Sequence, residues 1–355
     1  MSATKIDHTR VNKTLLTIFL VTLLMYLGKT FLIPVAIAAF FSMLLFPVMH
    51  KLQRLKVRKP VAALASILLL LLVLGAIGTL LYFQTVRLEA DLPRLEERIQ
   101  VKTNSLQWLL YETTDLTRLE QDAILEAKKA DIAKALFKSI RDILMGGFAI
   151  LLFVFIVLTY TFFFLVYQQK IQNFLVQLKV FENKKAAKVM LARISRIIHN
   201  YLKGVLTVTF TIGFLYALGF WAMGMEHAIL FALLAALPRI IPYFGSFLGI
   251  AFPIAFTLLT KDSLWFPVMV LLLFMVSQVL STNILTPYIT GSRVKLNPMA
   301  IILVILFGKL IWGIAGMILF VPLFATIKVI LDEIPRFNPY AYVLGKEYEE
   351  APEPS

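Results

Sequence analysis

The chain has 355 residues, 59% of them hydrophobic and only 16% charged, with a mean hydropathy of +0.82. Soluble chains carry about 25% charged and about 45–50% apolar residues, so the composition excludes a set of soluble domains and indicates an integral membrane protein. The net charge of +14 would suit nucleic acid in a soluble chain, but in a membrane protein surplus Lys and Arg mark cytoplasmic loops.

The absence of cysteine removes disulfides, thiol chemistry and Cys-type metal sites. Continuous apolar blocks, rather than alternating stretches of about ten residues, argue for helices over a β-barrel. The first block, Leu15 to Leu27, follows Lys5, Arg10 and Lys13, and a second, Pro34 to Met49, comes almost at once. The pattern predicts two short spans broken at Gly28-Lys29 and Pro34 rather than a signal peptide. Residues 50–59 then carry five basic side chains and no acid.

Long spans are expected from Pro60 to about Tyr82 and from Gly146 to Tyr167. The connection 168–203 carries eight basic residues against Glu182 alone, whereas 85–142 balances its charges. Basic loops inside put 85–142 outside the bilayer and both termini in the cytoplasm. In the outer segment Leu88, Leu92, Leu95 and Ile99 repeat at helical spacing, Asp91 and Pro93 suggest a helix start, and Leu119 to Ile140 a second helix. A small extracytoplasmic helical hairpin is expected there.

In 168–203, Ile171, Phe174, Leu175, Leu178 and Phe181 form one apolar stripe, and Ile194, Ile197, Ile198 and Tyr201 another. Such basic amphipathic helices are expected on the anionic inner leaflet, not on nucleic acid. The organisation is therefore N-terminal transmembrane helices (1–84), an outer segment (85–142), a transmembrane helix (143–167), basic amphipathic helices (168–203), a core (204–335) and an acidic cytoplasmic tail (336–355).

Within the core, Val205 to Met223 and Leu264 to Leu285 are simple spans. Residues 227–260 and 298–331 are different: each is apolar for 34 residues, too long for one crossing and too short for two. Pro238-Arg239-Ile240-Ile241-Pro242-Tyr243-Phe244-Gly245 interrupts the first, and Gly308-Lys309, Gly313 and Gly316 the second, with Pro322 beyond. Read as re-entrant hairpins they make an inverted repeat, and Arg293 and Lys295 then fall on the cytoplasmic side; read as full crossings they put both charges outside. The charge bias favours hairpins.

Broken helices leave backbone groups that lipid cannot satisfy, so they must face protein or water, and matched breaks in two halves point to a transporter's binding site. The candidate solute or ion path comprises Pro238, Arg239, Pro242, Tyr243, Gly245 and Ser246 on the first break. Lys309, Gly313, Gly316 and Pro322 belong to the second. A polar cluster on the penultimate span, Ser277, Gln278, Ser281, Thr282 and Asn283 before Pro287, completes it. A charge at membrane depth, as for Arg239 and Lys309, raises functional suspicion, although snorkelling to an interface also explains it.

The segments Asn200-Tyr201-Leu202-Lys203-Gly204, Ile241-Pro242-Tyr243-Phe244-Gly245 and Asn283-Ile284-Leu285-Thr286-Pro287, with Gly308, Gly313, Gly316 and Pro322, resemble the autoinducer-2 exporter family from about residue 10 to 335. The resemblance implies a bacterial inner-membrane protein of eight spans that assembles as a homo-oligomer, with a pentamer as one form. It implies export of autoinducer-2 in some members and sodium(lithium)/proton antiport in others. Two departures stand out. Val205 replaces a common Gln, and Ser281 to Asn283 lack a common Glu, so coupling to protons or sodium lacks its usual carboxylate.

The expectation is an all-α polytopic membrane protein of about eight hydrophobic segments, a secondary transporter for a small polar solute or a monovalent cation. A channel-like oligomeric scaffold is the remote alternative. No cofactor or metal is expected, and no enzyme: the four histidines are scattered and neither a zinc nor a nucleophile motif occurs.

Overall fold

A computed structural model describes residues 8–113, 147–177, 184–242, 244–261, 263–290, 296–332, 334 and 337–345. Every regular element among them is a helix, as hydrocarbon demands of a backbone that must satisfy its own hydrogen bonds. Helix α1 (His8–Leu27) meets α2 (Lys29–Arg54) at Gly28. The bend there loses little, since the Gly28 N–H still donates to the Leu24 carbonyl at 2.8 Å and the Leu32 N–H to that of Gly28 at 2.8 Å. The second expected break is absent: α2 runs through Pro34 and Pro47. A proline near a helix start forfeits a single backbone bond, which the buried packing around Pro34 offsets.

Helix α3 (Lys59–Thr113) is continuous for 55 residues, about 80 Å, of which only Lys59–Leu88 has the apolar character of a span. The expected helix start at Asp91 and Pro93 is therefore overturned. Leu, Glu and Arg on either side are good helix formers and carry the helix past the proline. Asp91 is turned to another purpose: its Oδ2 lies 3.2 Å from Nε2 of His227. The expected helix from Leu119 to Ile140 lies outside the described residues.

Helices α4 (Gly147–Gln177) and α5 (Lys184–Ala222) extend the expected spans into the basic connection. The amphipathic stretch is thus no separate pair of helices among the described residues. Its second stripe covers protein, for Met190, Ile194 and Ile198 are buried with Val329 and flanked by Phe40 and Met43. Ile171 and Phe174 of the first stripe remain exposed.

Beyond α5 come α6 (Ala228–Ala236), a 3-10 turn (Leu237–Ile240) and α7 (Phe244–Thr260). Helix α8 (Trp265–Leu280) continues directly into a π-helix, Ser281–Thr290. Helix α9 (Pro298–Asp332) contains a reversal at Gly313, and α10 (Asn338–Leu344) closes the described chain. Part of the expected tail is therefore folded back: Asn297 donates from Nδ2 to the Val343 carbonyl at 2.8 Å and from its backbone to that of Leu344 at 2.9 Å.

Among the described residues six helices are long and apolar enough to cross a membrane, α9 among them by length although it doubles back on itself. Helix α5 organises the core. Its Ile212, Tyr216 and Phe220 join Phe231, Ala235, Ile250, Val270 and Phe274 in one buried cluster. Its Tyr201 joins Val304, Ile311, Trp312 and Phe320 in another.

Candidate functional site

Residues 228–260 form a hairpin held by bare backbone. A methyl group built on Gly245 would overlap the Pro238 carbonyl, and one on Gly249 the Ala235 carbonyl, so the two arms touch main chain to main chain. Such contacts need small residues, and between membrane helices, where apolar burial drives nothing, close packing supplies much of the association. Farther from the tip the arms are spaced by rings, Phe231 and Phe256 lying 4.3 Å apart between centroids. The tip follows from its prolines. Pro238 tightens the end of α6 into the 3-10 turn, and Ile241, preceding Pro242, is pushed to an extended conformation (φ −83°, ψ 111°).

Residues 298–332 form the second hairpin by a different turn. Gly313 adopts φ 61° and ψ −137°, a conformation closed to side-chain-bearing residues at low cost, and the chain reverses there. Gly308 and Gly316 then face each other, and a methyl on either would meet the other's backbone. Trp312 at this tip donates from Nε1 to the Met25 carbonyl at 2.9 Å, pinning the hairpin to the end of α1. Both long broken segments thus double back as hairpins, while Arg293 and Lys295 lie outside the described residues. The hairpins leave opposite ends of α8 and its π-helix, and Ile241 from the first tip packs against the buried cluster of the second.

A polar relay links the first tip to two through-helices. Arg239 donates from a guanidinium nitrogen to the Tyr216 hydroxyl at 3.4 Å, and that hydroxyl lies 2.7 Å from the Ser277 Oγ. Ser277 itself donates to the Phe274 carbonyl at 2.8 Å, so its oxygen accepts from Tyr216. Every donor in the chain points away from the arginine. Tyr216 and Ser277 are fully buried, whereas Arg239 is half-buried.

Of the other expected path residues, Gly245, Ser246 and Ser281 are buried, and Pro238 and Pro242 half-buried. Gln278 is half-buried, with a buried Oε1 that has no hydrogen-bond partner among the described residues. Thr282 and Asn283 are exposed, and Pro287 lies in the π-helix. Tyr243 lies outside the described residues. Lys309 is exposed and not joined to the relay, Gly313 sits at the tip, and Gly316 is buried in the contact with Gly308. Pro322 is buried in the second arm, and its carbonyl accepts from Thr326 Oγ1 at 2.9 Å.

Two groups lay outside the expected set. Tyr216 shares its span with Thr207, Thr209 and Thr211, and the one signal it gave was that a buried tyrosine needs a partner for its O–H. Lys328 is 1% exposed, with Nζ 3.1 Å from both carboxylate oxygens of Asp332. Their spacing of four residues on one arm was the available signal. Among the described residues no three His, Cys, Asp or Glu side chains form a metal-sized cluster.

Comparison with known proteins agrees with this architecture. The family model described as AI-2E family transporter matches residues 15–336. YrrI of Bacillus subtilis, named as a candidate transport protein, is 28% identical over 318 residues, covering 87% of this chain and 88% of the relative. YueF of Bacillus subtilis, named likewise, is 25% identical over 344 residues, with 91% of each chain covered. YhhT of Escherichia coli K12 is 23% identical over 314 residues and 88% of each chain. With a match across nearly its whole length, and two glycine-locked hairpins between apolar helices, the chain belongs to the AI-2E family of transporters.

Proposed function

We propose that this multi-pass membrane protein is a secondary transporter that moves a small polar molecule, of the autoinducer-2 type, outward across a bacterial inner membrane. The observation that carries the reading is the relay from Arg239 through Tyr216 to Ser277. It gathers a hairpin tip and two through-helices around polar groups at a depth where lipid offers no partners. The basic stretches 50–59 and 168–203 support cytoplasmic termini, with the first hairpin entering from outside and the second from inside.

The test is metabolite profiling of spent medium from a strain lacking the protein and then overproducing it, beside counterflow in proteoliposomes. A solute whose export rises with the protein, saturates, and vanishes in Gly245→Val is expected. Export that is unchanged by deletion, or uptake that rises linearly without saturation, would sink the carrier reading and leave a channel-like scaffold.

A second reading, sodium(lithium)/proton antiport, is favoured by one observation, the buried Lys328–Asp332 pair at the end of the second hairpin. A carboxylate held by a buried ammonium can exchange its partner for a proton or a cation. Dye-quench measurements on inverted vesicles decide it: no sodium or lithium response, in a preparation that still exports solute, removes antiport.

A further inference from the structure

We infer that the solute carried is an anion, presenting a carboxylate or phosphate group to Arg239 at the tip of the first hairpin; the inference rests on the transport reading above. An arginine side chain offers five N–H donors in a planar fork and accepts nothing. Among the described residues, the polar partner of Arg239 is the Tyr216 hydroxyl, and at 3.4 Å that bond is long. The relay cannot supply more. The Tyr216 proton is directed to Ser277 and the Ser277 proton to a backbone carbonyl, so within the relay only the Tyr216 oxygen faces Arg239 as an acceptor.

The surrounding sequence offers no built-in counter-ion. Between Gly204 and Asp332 the acidic residues are Glu226 and Asp262, which flank the first hairpin in sequence, and Asp332, which is paired with Lys328. The same stretch holds Arg239, Lys261, Arg293, Lys295, Lys309 and Lys328. A core that transported cations would carry the opposite balance, because a cation in low dielectric needs anionic ligands. A half-buried guanidinium at a hairpin tip is complementary to a planar carboxylate or a phosphate, which it can grip with two parallel hydrogen bonds. The solute then provides both the missing charge and the missing acceptors, and it completes the arginine's hydrogen bonding only while bound. That difference in contacts between loaded and empty states is what a carrier needs.

The full chain, reconstituted into phosphatidylcholine vesicles, is tested with paired labelled probes: ribose 5-phosphate against ribose, and lactate against glycerol. The wild type is expected to take up at least one anion of these pairs saturably and neither neutral partner. Arg239→Gln should raise KM for that anion about tenfold or more, the scale of a lost hydrogen bond to a charged group, with a smaller change in maximal rate. Arg239→Lys should recover part of the affinity, because it restores charge without the fork.

An unchanged KM in Arg239→Gln overturns the inference, including the case in which the guanidinium serves a lipid headgroup phosphate instead of a free solute. Saturable uptake of ribose or glycerol that is abolished by Gly245→Val and untouched by Arg239→Gln overturns the anion while leaving the hairpins as the path. No saturable uptake of any probe by the wild type overturns both.

Discussion

The two hairpins share a scaffold and end in opposite chemistry. Each brings its arms into main-chain contact through glycines, Gly245 and Gly249 in the first, Gly308 and Gly316 in the second. The first spreads its reversal over two prolines and the residues between them, which leaves room for a long charged side chain at the tip. The second reverses on Gly313 alone, between Trp312 and Ile314, so its tip presents apolar surface. Its ion pair, Lys328 with Asp332, sits instead at the far end of the second arm. Turn geometry thus decides where polar side chains are placed: the broad turn carries an arginine, the tight one apolar residues. A repeat in architecture need not be a repeat in function.

The sharpest way to break the comparison is at the shared feature. Gly245→Ala and Gly316→Ala each force a methyl into an opposing carbonyl, where backbone, not a flexible side chain, must give way. Each should cost about 3 kcal/mol, at the upper end for overpacking, and abolish transport. Thermal unfolding in detergent checks this, and the two losses should be similar. A large loss at Gly245 with none at Gly316 would mean that only the first hairpin is locked.

Next in size is the turn that distinguishes them. No atom lies within 4 Å of a methyl built on Gly313, so Gly313→Ala is penalised through its positive φ and not through crowding. About 1–3 kcal/mol is expected, and Gly313→Asn should lose as much as Gly313→Ala, since a ψ of −137° lies outside the αL well that asparagine tolerates. No loss in either variant would show that the turn had moved off this residue.

The hairpins were legible in the sequence because length is a strict criterion in a bilayer: 34 apolar residues fit neither one crossing nor two. Arg239 was legible for the same reason, as a charge where charges are expensive. What escaped was anything decided by long-range packing. The continuity of α3 past Pro93 depends on helix formers outweighing one lost hydrogen bond. The burial of Ile194 and Ile198 depends on which surface, lipid or the second hairpin, lies opposite an amphipathic stripe, and periodicity cannot distinguish these. Tyr216 looked like one more aromatic on an apolar span until Ser277 and Arg239 were placed around it, 61 and 23 residues away. Thr282 and Asn283, counted with Ser277 as one polar cluster, face outward because successive residues on a helix cannot share a face.

The smallest effect separates the two tips by what holds them. The first is tethered by a long bond from Arg239 at 3.4 Å, the second by Trp312 donating to Met25 at 2.9 Å. Trp312→Phe keeps the aromatic ring near Phe320, which it meets edge-on at 5.2 Å, and removes the donor. About 1 kcal/mol of stability should be lost, with the Met25 carbonyl left to find another partner at the bend beside Gly28. Tyr216→Phe should cost a similar amount of stability, because Ser277 and Arg239 each lose one partner. The two variants should differ in transport. If Arg239 binds the solute as proposed, Tyr216→Phe should alter KM, whereas Trp312→Phe loosens an apolar tip and should alter the maximal rate with KM unchanged. If both variants shift KM alike, the tips act as one binding surface and the asymmetry between them is only one of shape.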